Sequence, residues 1–354
     1  MDDARREFLD DLLAARSPSG HETAAQRAWV DYVREYADRV ETDAYGNAVA
    51  VHEGGGDTSV AFAGHADEIG FAVSEITDDG FLRISPVGGL DRTVTRGSQV
   101  RIETDDGTVN GVVGQAATHL RKKGEEEAPP NVTEQHVDVG AADGEAARDL
   151  VSVGDPGVLV AEPQDLAGSR LNARGLDNRA GLWVAAEGFR RAVERDVDAT
   201  VYAVSTVQEE LGTKGAQMVA FDLDADAVVA VDVTHAADDP SYPADRASEV
   251  VLGDGPTVTR GAANHPEVVA SLRAAAEDDG LPVQVEAQRL TTGTDADAFF
   301  TAQGGVPTAN LGVPNRYMHT PAEVVDTDDL VAGADLLAAF ADRATTRKSF
   351  AVEL

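Results

Sequence analysis

The sequence predicts an α/β protein: a sheet with helices on both faces, interrupted by a small β-rich insertion. Three observations carry that prediction. From residue 167 onward, apolar stretches of helical and of strand period alternate, the pattern of strands joined by crossover helices. Residues 1–68 hold two helical stretches and then two apolar strands. Between the two blocks the texture changes to short alternating strands separated by Gly- and Asp-rich turns. The expected division is 1–68 with 164–354 for the α/β domain and 69–163 for the insertion, whose ends can lie side by side at the surface. At 354 residues the chain exceeds what a single core organises.

Taken in order, residues 3 to 16 and 22 to 39 place apolar side chains at three- and four-residue spacing and read as helices. The Ser-Pro-Ser-Gly turn at 17 to 20 separates them. Strands follow at 47–52 and 59–63. Within the insertion, FAVSEI, FLRISPVG, SQVRIET, TVNGVVG and GVLVAEP read as strands of a small barrel or sandwich. Residues 119–135 carry charge, two prolines and no period, and read as a mobile loop. Further on come a helix at 178–194, a strand at 200–207, a helical stretch near 214–219 and a strand at 226–231. The last elements are a helix at 266–278, strands at 283–287 and 308–311, and a helix at 328–343. No internal repeat is present.

Composition narrows the function. The chain has no cysteine, which removes disulfides, thiolate ligands and thiol nucleophiles; any metal must be held by nitrogen and oxygen. The net charge of −34 repels nucleic acid and anionic membrane. Only four of the 29 basic residues are lysine. An acidic, lysine-poor surface suits concentrated salt, where self-repulsion is screened, and points to a halophile. The acidic, helix-patterned start is unlike a secretory signal, and no apolar run has the length of a membrane span. A cytoplasmic protein is the expectation.

FAGHADEIGF, residues 62–71, poses the functional question. A polar loop capping a strand explains it as well as a metal ligand does. Convergence decides. In open α/β sheets, ligands bind beyond the carboxyl ends of the strands. His65 follows SVAFAG, Glu209 and Glu210 follow TVYAVSTVQ, Asp232 follows DAVVAV, His319 comes soon after TANLGV, and Asp177 lies in RGLDNRAG before a helix. Alone, Asp177 reads as a helix cap and the Glu pair as a solvated face. Five segments delivering His or carboxylate to one sheet edge read as a metal site suited to zinc, cobalt or manganese. His65 and Asp67 are two apart, so Asp67 can orient the imidazole. Adjacent Glu209 and Glu210 point apart in extended geometry, so one can ligate while the other moves protons. His21, His52, His136 and His265 read as surface residues, His119 as part of the loop, and His235 as a neighbour of Asp232.

HADEIGF, GLDNRAG, QEELGTKGA, VDVTH, TGTDADAF and RYMHTPAEVV, in this order, resemble the tetrahedral (TET) aminopeptidases, a dinuclear-metal family that includes glutamyl aminopeptidase and members also called endoglucanases. The resemblance spans essentially the whole chain. It implies a zinc-peptidase-like sheet and, in the insertion, a PDZ-like dimerisation domain. It implies two divalent ions, Zn2+ foremost with Co2+ or Mn2+ as alternatives, that share a hydroxide. Asp177 would bridge them, His65 and Asp232 would complete one site, and Glu210 and His319 the other. Glu209 would be the general base and Asp67 the supporting carboxylate. Peptide substrates, removal of N-terminal residues, and a homo-oligomer of dimers assembling to a dodecamer are implied with it. Ala66 and Thr320 stand where relatives often carry Met and Ser. The alternatives are a metal-dependent carboxypeptidase or deacylase of related fold, a metal-free glucanase using two carboxylates, and a metal-loaded scaffold without catalysis.

Overall fold

The computed structural model describes residues 1–121, 129–243, 246, 248–287, 290–347 and 349–354. Residues 122–128 of the predicted 119–135 loop lie outside the described residues. On its far side Val132–Glu134 forms a single 3-10 turn, closed by reciprocal hydrogen bonds between Asn131 and Glu134.

Eight strands form one mixed sheet, in the order Arg39–Thr42, Ala48–His52, Thr200–Thr206, Ser59–His65, Ala227–His235, Thr308–Asn315, Thr257–Arg260, Gln284–Ala287. Four neighbours at its centre, Thr200–Thr206 through Thr308–Asn315, run parallel. They are buried on both faces, which is why their sequences are continuous apolar runs. Side chains alternate between two cores. Val60 and Phe62 face the larger one, with the helices Leu176–Glu194 and Thr327–Ala344; Ala61 and Ala63 face a smaller one under the helix Lys214–Asp222. Gly64 is small for a reason: a Cβ there would lie 2.9 Å from the Leu182 backbone, so the helix Leu176–Glu194 could not sit this close to the strand that delivers His65.

Six antiparallel strands between Gly70 and Leu159 close into a barrel around Phe71, Val73, Leu82, Ile84, Val100, Ile102, Val113 and Val137. The sequence resolves five of these strands. The sixth, His136–Asp138, is three residues long and too short to show a period, yet it bridges Phe81–Val87 and Gly107–Val113.

Three other differences have physical causes. The helix expected over 22 to 39 ends at Val33, and Arg39–Thr42 forms an edge strand paired with Ala48–His52. The strand carrying Asp232 runs on to His235, because Val233 to His235 pair with Val313 to Asn315. A separate three-stranded sheet, Gln164–Asp165, Arg170–Ala173 and Glu323–Asp326, is assembled from segments too short to read locally. That small sheet brings the segment before Asp177 beside the segment after His319.

The N-terminal helix Asp3–Ala14 is tied to the site by buried charge. Arg179 donates to the Leu12 carbonyl at 3.1 Å, and Arg174 to those of Leu13 and Ala15 at 3.1 and 3.2 Å. Both guanidiniums contact Glu68, which is 2 % exposed and also accepts the Ser17 N–H at 3.0 Å. Two cations thus meet the open carbonyls of a helix C-terminus and one carboxylate in the loop just after His65.

Candidate metal centre

The predicted residues do converge. His65 is the last residue of the strand Ser59–His65, and Asp232 lies within its parallel neighbour. Asp177 interrupts the first turn of the helix Leu176–Glu194 with an extended backbone, φ −81° and ψ 101°. Glu209 and Glu210 sit in a turn after Thr200–Thr206, entered through Gln208 at φ +54°. His319 also has positive φ, +63°. Left-handed backbone at non-glycine residues is costly, and it clusters where function fixes the geometry.

Distances sort these groups into two clusters. His65 Nε2 lies 3.4 Å from Asp177 Oδ1 and 3.6 Å from Asp232 Oδ1. His319 Nε2 lies 3.2 Å from Asp177 Oδ2 and 3.4 Å from Glu210 Oε1. The ligand atoms of each trio, His65–Asp177–Asp232 and Asp177–Glu210–His319, lie within 4.8 Å of one another. Asp177 belongs to both, one oxygen turned to each. Glu209 belongs to neither trio; its Oε2 stands 3.9 Å from His65 Nε2.

Asp67 does more than its spacing suggests. Its Oδ1 lies 3.3 Å from His65 Nδ1, as expected of a group orienting the imidazole. Its two oxygens also accept the main-chain N–H of Glu209 at 2.9 Å and of Glu210 at 3.1 Å, and Oδ2 accepts the Ser19 hydroxyl at 2.6 Å. One buried carboxylate therefore holds the turn that aims the two glutamates apart. They diverge as expected, through a turn rather than through extended backbone. Of the other histidines, His235 ends the Asp232 strand and is exposed, as are His21, His119 and His136; His52 and His265 are half-buried.

Electrostatically the site is short of positive charge. Burial pushes the Glu209 carboxyl up to about 10, assisted by Asp232, Asp295 and Glu210. Burial likewise raises Glu210 and Asp232. Hydrogen bonds that His319 donates to Asp177 and Glu210 lift its pKa to about 11. Burial opposes a charged His65, yet Asp232 and Asp177 hold its pKa well above the ordinary value. Four carboxylates thus crowd two imidazoles in a dry setting, an imbalance that divalent cations correct. Borderline cations take imidazole and carboxylate donors of this kind, so the residues fit a pair of them.

Several participants escaped the sequence. Asp295, in TGTDADAF, is buried and pushed up to about 7 by desolvation and by Asp232 and Asp67; its Oδ2 accepts the Thr206 hydroxyl, while Oδ1 has no partner among the described residues. Glu22 accepts the Gln208 N–H at 3.1 Å. Nothing in their local spacing marks either. The barrel reaches the site as well. Leu90, Val158 and Leu159 line a cleft with Ile69, Glu210 and His319, and a Cβ on Gly89 would lie 2.6 Å from His319 Nδ1. Gly89→Ala is therefore expected to displace the imidazole and lower kcat/KM by about 10²-fold, the scale of a 1 Å misplacement. Elemental analysis should show metal lost in parallel; a variant with wild-type metal content and kcat/KM would show the contact to be idle.

A parallel-centred α/β sheet with this cluster at its edge defines a metal-dependent hydrolase. The chain belongs to the M42 glutamyl aminopeptidase family, whose model matches residues 46–336. It is 33% identical over 309 residues to the lysyl aminopeptidase of Pyrococcus furiosus, covering 86% of this chain and 87% of that protein. The structure of aminopeptidase APDkam598 from the archaeon Desulfurococcus kamchatkensis superposes with a TM-score of 0.88 at 32% identity, covering 96% of this chain and 94% of the other. The Pyrococcus horikoshii TET1 peptidase, which can assemble into a tetrahedron or a large octahedral shell, gives 0.84 at 28% identity, over 95% of this chain and 99% of that one. The protein is a metal-dependent aminopeptidase with the TET fold.

Proposed function

We propose that this chain removes N-terminal residues from peptides at a two-metal centre held by His65, Asp177, Glu210, Asp232 and His319, with Glu209 as general base. The observation that supports this best is the split of Asp177, one oxygen toward His65 and the other toward His319, as a bridging ligand requires. Zn2+ is the first choice of ion, Co2+ or Mn2+ the next. When bound, the ions supply Lewis acidity, polarising the scissile carbonyl and acidifying water. Glu209, outside both trios, accepts the water's proton on a carboxylate oxygen and returns it to the leaving amine. Asp67 keeps that carboxylate in place by gripping the Glu209 and Glu210 backbone. The surplus of carboxylates also offers partners for a substrate's free α-ammonium, which favours exo- over endo-cleavage.

In the same reading, residues 1–68 and 164–354 form the catalytic unit, and 69–163 is a dimerisation insertion whose dimers build a dodecamer. Among the described residues no helix is long and apolar enough to cross a membrane. The charge of −34 and the scarcity of lysine favour a cytoplasm rich in salt. A panel of chromogenic aminoacyl substrates at high salt tests the whole. Activity should vanish after chelation and return with Zn2+, Co2+ or Mn2+. Undiminished hydrolysis by the metal-stripped protein would remove the metal from the mechanism. Cleavage of N-acylated substrates in preference to free-amine ones would establish a deacylase instead.

A further inference from the structure

Glu323 opens the short strand Glu323–Asp326, which pairs with Arg170–Ala173 and so joins the two segments that present Asp177 and His319. Its residue surface is 2 % exposed. Both carboxylate oxygens are used, each on the main chain of a different metal-ligand candidate. Oε2 accepts the Asp177 N–H at 2.8 Å, and Oε1 accepts the His319 N–H at 3.0 Å. Each contact lands at an unusual backbone: Asp177 is extended inside a helical turn, and His319 is left-handed. Neither conformation is dictated by its own residue type, so a partner must hold it. A buried acid beside other acids is unfavourable in itself, and the two N–H groups it accepts are what offset that cost here.

We infer that Glu323 is the positioning residue of the Asp177–Glu210–His319 subsite. By accepting these two N–H groups it fixes how far the shared carboxylate stands from the His319 imidazole, so that the subsite is formed before a cation arrives. It touches neither substrate nor the reacting atoms. The inference rests on the proposed metal centre and adds what keeps half of it in register. The effect falls first on this trio, two of whose members have their backbone held by Glu323; the other trio, with His65 and Asp232 on central strands of the sheet, feels it only through the shared Asp177. Partners of this kind, placed behind the ligands, typically contribute 10- to 100-fold to metal affinity.

Glu323→Gln keeps the volume but replaces one acceptor oxygen by an NH2 group that cannot receive an N–H. The experiment is calorimetric titration of the metal-stripped full-length protein with Zn2+, for the wild type, Glu323→Gln and His319→Ala, with the melting temperature of each stripped protein recorded. His319→Ala identifies the binding event that belongs to its subsite. Glu323→Gln is expected to weaken that same event by 10- to 100-fold, to move the other much less, and to leave the stripped protein's melting temperature near wild type. Wild-type affinity at both events in Glu323→Gln, with His319→Ala impaired, would overturn the positioning role alone. Equal weakening of both events would overturn it, and a lower melting temperature beside that result would assign Glu323 to folding instead. Two intact events in His319→Ala would instead bring down the metal-centre assignment on which it rests.

Discussion

Glu209→Gln should retain its metal and lose 10²- to 10⁴-fold in kcat, the usual contribution of a placed general base. The substitution is nearly isosteric and leaves the N–H of residue 209 bound to Asp67, so the turn that aims Glu210 survives. Glu209 stands outside both trios, so no ligand is removed. What disappears is proton affinity. Burial and the neighbouring acids Asp232, Asp295 and Glu210 push this carboxyl to about 10, and cations beside those acids would bring it down toward the working pH, where a base is most effective. At 1.36 kcal/mol per factor of ten, the expected loss is about 3–5 kcal/mol of transition-state stabilisation. The decisive comparison is kcat against metal stoichiometry in one preparation. Full activity with two ions bound would dismiss Glu209 from the mechanism; loss of activity together with loss of ions would make it a ligand.

The sequence reached this residue because of where it lies rather than what surrounds it. Apolar runs such as SVAFAG and DAVVAV mark strands buried on both faces, and the polar residues closing them had to meet at one sheet edge. His65, Asp177, Glu210, Asp232 and His319 were all legible on that logic, with family resemblance distributing their roles. The supporting shell was not. Asp67 was read as a partner of His65, yet its grip on the backbone of Glu209 and Glu210 depends on the Gln208 turn, which no periodicity encodes. Glu323 lies in a four-residue strand whose partner begins at Arg170, and such long-range pairings leave no local pattern. The close approach of Gly89 to His319 belongs to the junction of barrel and sheet, which leaves no local pattern. Buried groups that act on backbone N–H carry no signature of spacing. That is why the converging side chains could be read and their supports could not.

Asp177→Ala should have the most severe effect on metal binding, because it alone belongs to both trios. Removing His319 or Asp232 spares one cluster; removing Asp177 leaves each with two groups and no bridge. The ion content is expected to fall below one per chain, and kcat/KM by at least about 10³-fold, since the Lewis acidity being lost is worth several kcal/mol. The stripped protein should also become less stable near neutral pH, for a reason separate from the metal. Burial opposes an ionised Asp177, but His319 and His65 hold its pKa below the ordinary 3.8, so its stabilising contribution is present above that value and is lost as pH falls through the lower, folded-state one. His319, lifted to about 11 by Asp177 and Glu210, contributes fully below its ordinary 6.5 and loses that contribution as pH rises toward about 11. Both are in force between pH 4 and 6.5, roughly the window these two shifts define, and the alanine variant forfeits the pairing there. Thermal melts of stripped wild type and variant across that window, beside elemental analysis of the loaded forms, separate the two effects. Two ions per chain in Asp177→Ala, at near wild-type kcat/KM, would mean that the shared carboxylate bridges nothing.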